Sequence, residues 1–168
     1  TSCSFNGTGL TAITLPDSVY SIGWKAFANN ANLVSVSLSR SLSYIAEASF
    51  QHDTALVSIT IPAFQYSAVT SSGHSDTWSF PGVIGEEAFE GCTALVALII
   101  ENGTAIIGES AFAGCTSLNN VHVPRSVTTI QEGAFEGCTS LTTMHLENRN
   151  FTATNNYSDL GLSPDAFT

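Results

Sequence analysis

Positive charge is scarce in this chain. Four Lys and Arg stand against fourteen Asp and Glu, for a formal net charge of −10 over 168 residues. So few cations neutralise few phosphates, which excludes a nucleic-acid partner and a polybasic membrane anchor alike. Long apolar runs are missing too: none approaches the ~20 residues needed to cross a bilayer, so membrane insertion is not expected. Charge of either sign is low, at 11%, against ~25% in ordinary domains. The surface must be built instead from Ser, Thr and Asn, a composition that fits an extracellular protein. Catalytic signatures are absent: there is no G-x-S-x-G, Walker, dinucleotide or H-E-x-x-H pattern. His74-Ser75-Asp76 places three suggestive residues side by side, but adjacent residues do not orient one another as a relay. The chain is therefore not expected to be an enzyme, nor to carry a cofactor. The first residue is Thr1 rather than Met, which points to a removed leader or to a piece of a longer chain.

What is present is periodic. Phe27 and Phe50 are 23 residues apart, and so are Phe89, Phe112 and Phe135. Each has Ile five residues before it: Ile22, Ile45, Ile84, Ile107 and Ile130. Leu10, Leu33, Leu56, Leu95, Leu118 and Leu141 open the units, each followed by an alternating apolar pair such as Ile13/Leu15 or Val121/Val123. Alternation marks a short strand with one buried side, and Pro16, Pro62 and Pro124 end it. A unit this short buries its apolar edge only by stacking on its neighbours. The pattern predicts a leucine-rich-repeat solenoid with a single parallel β-sheet on one face. Short turns, 3₁₀ or helical, are expected on the other, formed by segments such as Trp24–Phe27. The expected organisation is a cap-like segment over 1–9 and a solenoid over 10–168. The solenoid would carry an inserted loop at 63–82 and a degenerate last repeat at 141–168.

Cysteine is used on the same lattice. Cys92, Cys115 and Cys138 each sit three residues after a Phe, where the first two units have Asn30 and Asp53. Intervals equal to the repeat period do not make a zinc motif; they predict a ladder of buried thiols. Cys3 lies outside the register and is either a cap residue or a candidate for an intermolecular disulfide.

The unit from Leu118 to Cys138, with Val123-Pro124, Ile130 and Gly133-Ala134-Phe135-Glu136-Gly137-Cys138, resembles the consensus of the BspA-like leucine-rich repeats, as does Leu10 to Asn30. The resemblance covers roughly residues 10–146. It implies a surface or secreted protein engaged in non-catalytic adhesion or recognition, with a protein or glycan as ligand. The alternative is a structural subunit of an extracellular filament or matrix, with copies joined head to tail.

Candidate binding residues lie where the chain departs from the repeat. Phe50 to Phe89 is 39 residues, sixteen over the period. This insertion carries Phe64, Tyr66, His74, Trp78 and Phe80, and insertions in solenoids leave as loops on one face. On the strands, His122 and His145 share an outward column beside Asn120, with Glu101 or Glu147 within reach as a third polar partner. The column Glu47, Glu86, Glu109 and Glu132 reads as a solvated acidic edge, and no metal site is assigned. Sequons at Asn6, Asn102, Asn150 and Asn156 are glycosylation candidates on a secretory route.

Overall fold

The computed structural model describes residues 4–65 and 82–148 and the strand Thr152–Ala153. Six strands open the units: β1 Ala12–Thr14, β3 Ser35–Ser37, β5 Ser58–Ile61, β7 Ala97–Ile100, β9 Asn120–Val123 and β11 Thr143–Leu146. They form one parallel sheet in chain order, as the alternating pairs predict. Inward residues such as Ile59, Leu98, Val121 and Met144 are buried.

The opposite wall differs from expectation. A second six-stranded parallel sheet runs there through β2 Ser21–Ile22, β4 Tyr44–Ile45, β6 Gly82–Ile84, β8 Thr104–Ile107, β10 Thr129–Ile130 and β12 Thr152–Ala153. The repeat Ile of each unit is the inward residue of these strands. Four of these strands have only two residues, too few for alternation to be read from sequence. Between this sheet and the next unit the chain runs through turns, and among the described residues no helix forms. The reason lies two residues either side of each Phe. Lys25, Ala48, Glu87 and Ser110 hold φ of 47–53°, and Asn29 and His52 hold φ of 60° and 61°, where later units place Gly91, Gly114 and Gly137. Left-handed residues four apart prevent a continuous right-handed turn.

The core is a set of stacked columns. Phe27, Phe50, Phe89, Phe112 and Phe135 are buried, with successive ring centroids 5.2–5.4 Å apart and planes within 14° of parallel. Phe5 extends the column by one ring, 5.4 Å from Phe27. Its amide donates to Ala26 O at 2.8 Å and that of Gly7 to Ala28 O at 2.9 Å. The same coil-to-coil bonds run from Phe50 N to Ala88 O and from Phe89 N to Ala111 O, both at 2.8 Å. Ser4–Leu10 thus has the form of a coil's closing segment.

The cysteines form the predicted ladder of buried, free thiols. Cys92, Cys115 and Cys138 each donate from Sγ to the carbonyl of the Phe one coil back, at 3.2–3.3 Å, to Phe50, Phe89 and Phe112 respectively. Burial pushes all three thiols up, that of Cys138 to about 11. Asn30 plays the same part at the start of the column, donating from Nδ2 to Phe5 O at 2.8 Å while its Oδ1 accepts from Gly9 N at 3.0 Å.

Asp53 is the anomalous member. It is fully buried; Oδ1 accepts from Asn30 N at 2.7 Å, and Oδ2 has no partner among the described residues. Desolvation pushes its carboxyl up to about 8, against which the Asn30 bond acts in the opposite direction. The acid is therefore mostly neutral at pH 7. A protonated Oδ2 restores the donor that Asn30 and the thiols supply at this place.

Two predictions follow from these columns. Phe112→Ala empties the middle of the ring stack and should cost about 3–5 kcal/mol, read from the denaturant midpoint. Asp53 ionises near 3.8 in the unfolded chain and near 8 in the folded one. Between those values only the unfolded state releases the proton, so this group makes stability fall as pH rises from about 4 to about 8. Asp53→Asn keeps an acceptor for Asn30 N and adds a permanent donor. It should flatten that slope and raise the unfolding temperature at pH 8, by about 2–4 °C for each kcal/mol recovered. A slope that survives the substitution would assign it to another group.

Candidate functional site

The first sheet presents its outward residues as two columns. One is Ala12, Ser35, Ser58, Ala97, Asn120 and Thr143; the other is Thr14, Ser37, Thr60, Ile99, His122 and His145. All are exposed and none is an acidic residue, Lys or Arg. In a chain of net charge −10, this is a face kept free of the surrounding negative charge. Small side chains leave it nearly flat in its first half. Val34, Val57 and Val96, exposed at 50%, 45% and 42%, stack along its edge, and Ile99 stands out at 56% exposure. Exposed β-branched apolar residues in register on successive coils are suited to contact rather than to solvation.

The second half of the face is polar. His122 and His145 stack with centroids 5.3 Å apart and planes 11° from parallel. Of the two acids expected near them, the structure selects Glu147, whose Oε1 lies 3.2 Å from His122 Nε2. Glu147 Oε2 accepts from Arg125 N at 2.9 Å; that bond first, and His122 and Arg125 after it, hold this carboxyl below its ordinary range. Asn120 bonds its neighbour Asn119 from Nδ2 at 2.6 Å. Glu101 serves elsewhere, its Oε2 accepting from Ala63 N at 2.9 Å. Among the described residues no three His, Cys, Asp or Glu side chains converge as a metal site would require.

A cleft opens where the insertion leaves the sheet. β3 and β5 share one registered pair, Ser35↔Ser58, whereas β5 and β7 share four. Beyond Ser35 and Ser58 the two strands border a cavity of about 440 Å³, whose walls include Ser37, Leu38, Arg40, Thr60, Gln65 and Glu101. Leu15 N donates to Ser37 O at 2.9 Å. Among the described residues the equivalent amide, that of Leu38, makes no such bond to β5. The backbone of Arg40 is anchored, its amide donating to Asp17 Oδ1 at 3.1 Å, while its guanidinium makes no ion pair among the described residues.

The insertion itself is only partly in view. Phe64 is buried at 4% exposure and belongs to the core. It lies so close that a Cβ on Gly82 would fall 2.4 Å from its ring, and one on Gly103 2.7 Å from its amide nitrogen. As placed, Phe64 seals the solenoid and presents no ring to a ligand. Tyr66, His74, Trp78 and Phe80 lie outside the described residues, as do Cys3, Asn150 and Asn156. Asn6 is half-buried and accepts from Asn29 Nδ2 at 3.3 Å. Asn102 is exposed, although the Thr104 hydroxyl of its sequon is buried without a partner among the described residues.

On the acidic edge, Glu47 accepts from the indole of Trp24 at 3.1 Å. Glu86 is pushed up, by desolvation first and then by Glu109, Glu47 and Glu87. Gln51 divides Glu87 from Glu90, donating from Nε2 to both, at 2.9 and 2.6 Å. The sequence offered no warning of the cleft except that Arg40 is one of four basic residues.

Comparison with known proteins agrees with the fold. A family model described as a BspA type leucine rich repeat region matches residues 1–76 and 82–158, in six copies. No curated protein matches the chain. Among solved structures, a Treponema pallidum leucine-rich repeat protein is 30% identical with a TM-score of 0.72, covering 88% of this chain and 62% of its own. A leucine-rich repeat protein of Bacteroides capillosus is 32% identical over 60% of this chain and 61% of its own, with a TM-score of 0.40. One from Eubacterium ventriosum is 17% identical over 93% of this chain and 47% of its own, with a TM-score of 0.55. The chain thus spans about 62% of the length of the T. pallidum protein.

Proposed function

Because the chain belongs to the BspA-type leucine-rich repeat family, we propose that it is a non-catalytic recognition module that binds a protein through its first sheet. The observation that carries this reading is the face itself: outward columns without Lys, Arg or acid on a strongly acidic chain, edged by stacked valines. Side chains that neither repel nor need desolvation of charge suit contact with a second protein. A glycan is the other ligand class, for which Tyr66, Trp78 and Phe80 of the insertion are the candidates. Extracellular or cell-surface placement accords with the low charge and with the family; among the described residues no helix is long and apolar enough to cross a membrane. Sequons at Asn6 and Asn102 on the described surface would then be open to glycosylation.

One observation favours a structural subunit as the second reading. At the first coil Phe5 is 48% exposed and Leu10, Ile13, Leu15 and Val19 are half-buried, beside a cavity of about 250 Å³. Such an end accepts another coil, whether of the same chain or of a second copy. A second copy would dock head to tail and propagate as a filament, with Cys3 as a candidate lock.

The test uses the full chain against purified extracellular-matrix proteins and against a glycan array. The expected result is saturable binding to a protein, weakened at least tenfold by Ser58→Arg or Ala97→Glu with the unfolding temperature unchanged. Glycan binding indifferent to those variants would move recognition to the insertion. Binding to neither, with concentration-dependent growth in sedimentation, would favour the filament subunit.

A further inference from the structure

Arg40 is a described cation that lines a cavity. Lys25 lies 5.3 Å from the centroid of the Trp24 ring, and the Arg125 amide donates to Glu147 as the Arg40 amide does to Asp17; neither Lys25 nor Arg125 makes an ion pair among the described residues. The guanidinium of Arg40 makes no ion pair among the described residues, although acids outnumber bases fourteen to four in this chain. It lines the cleft between β3 and β5, and its backbone is tied to the preceding coil through Asp17.

The rest of the cleft complements it. The Leu38 amide is free of the ladder, and Ser37 and Thr60 line the same space; Gln65 lines it too, with Nε2 donating to Ala63 O at 3.1 Å and its backbone amide to Leu42 O at 2.9 Å. Glu101 closes the far wall with Oε2 committed to Ala63 N, leaving Oε1 to accept. The cleft thus offers one cation, one free amide and two hydroxyls able to donate or accept, with one uncommitted carboxylate oxygen on Glu101. A guanidinium pairs with a carboxylate through two parallel hydrogen bonds. A backbone amide left free just beyond the end of β3 can donate to a carbonyl of a bound segment.

We propose that this cleft binds an extended peptide segment of the partner, taking one Asp or Glu carboxylate on Arg40 and the adjoining main chain on the Leu38 amide and Glu101. This rests on the reading of the sheet as a protein-binding face and names the chemistry it selects. One acidic side chain in an otherwise uncharged segment meets the negative chain only locally. Screening over about 8 Å at physiological salt keeps the remoter acids from opposing it. A run of acidic residues would meet more of them and is not the expected ligand.

The experiment follows backbone and Arg side-chain resonances of the full chain, labelled with nitrogen-15, on addition of a short blocked peptide of Thr and Val with one central Glu. The expected result is saturable shifts confined to the Leu38, Thr60 and Ala63 region and the Arg40 Nε–H. The peptide with Gln in place of Glu should bind at least tenfold more weakly, as should Arg40→Gln with the remaining spectrum unchanged. Equal binding of the Glu and Gln peptides, or by Arg40→Gln, would overturn the proposal. So would shifts mapping to another surface, or a response to an oligouronate in place of the peptide. If Ser58→Arg still abolishes binding of a protein partner while the cleft ignores the peptide, the cleft assignment fails and the sheet face stands.

Discussion

Each coil of this protein buries its phenylalanine only because the next coil places an identical ring about 5.2–5.4 Å above it. A unit of this length has one apolar edge and no second layer of its own, so its core exists only as a stack. Everything else in the structure obeys that repeat distance. Strand ladders, turn-to-turn amide bonds, the buried thiols and the paired imidazoles are all neighbours because they are equivalent positions on successive coils. Errors in register would misalign all of these columns together, which is why the spacing of the Phe residues is so strictly kept within each half of the stack.

The same constraint explains the buried polar column. A small group that donates to the Phe carbonyl one coil back is wanted at each level, and Cys supplies it three times in succession. Asn30 performs the task with an amide that also accepts from the amide of Gly9, in the closing segment of the preceding coil. Asp53 has a donor to offer at this level only when protonated, so the column carries one member whose hydrogen-bonding capacity depends on pH. The thiols themselves, buried and held protonated, act as structure and not as reactive groups.

Interruption of the repeat is where the surface acquires individuality. β3 and β5 share one registered pair, as β7 and β9 do, and beyond it the Leu38 amide makes no bond to β5 among the described residues. The insertion turns Phe64 into the core against Gly82 and Gly103, which leaves the cleft walls to residues from neighbouring coils. The sheet face on either side remains regular and free of Lys, Arg and acid. A periodic platform thus carries one aperiodic feature, and recognition is most readily localised at that feature.

The sequence by itself determined the period, the six leading strands, the ring column and the thiol ladder, because stacked columns require only that side chains recur at fixed spacing. It could not determine the second sheet, whose strands are as short as two residues and have no readable alternation. Phe5 escaped notice as a column member because it stands 22 residues before Phe27, one short of the period. Which way Phe64 points, and which acid meets His122, were decided by packing: glycines at 82 and 103 leave room for the ring, and Glu147 is the acid whose geometry brings it to the imidazole. The cleft was decided in the same way. Its walls come from positions 40, 60 and 101 on three different coils, and their meeting depends on how far two strands diverge, a distance that no periodicity encodes.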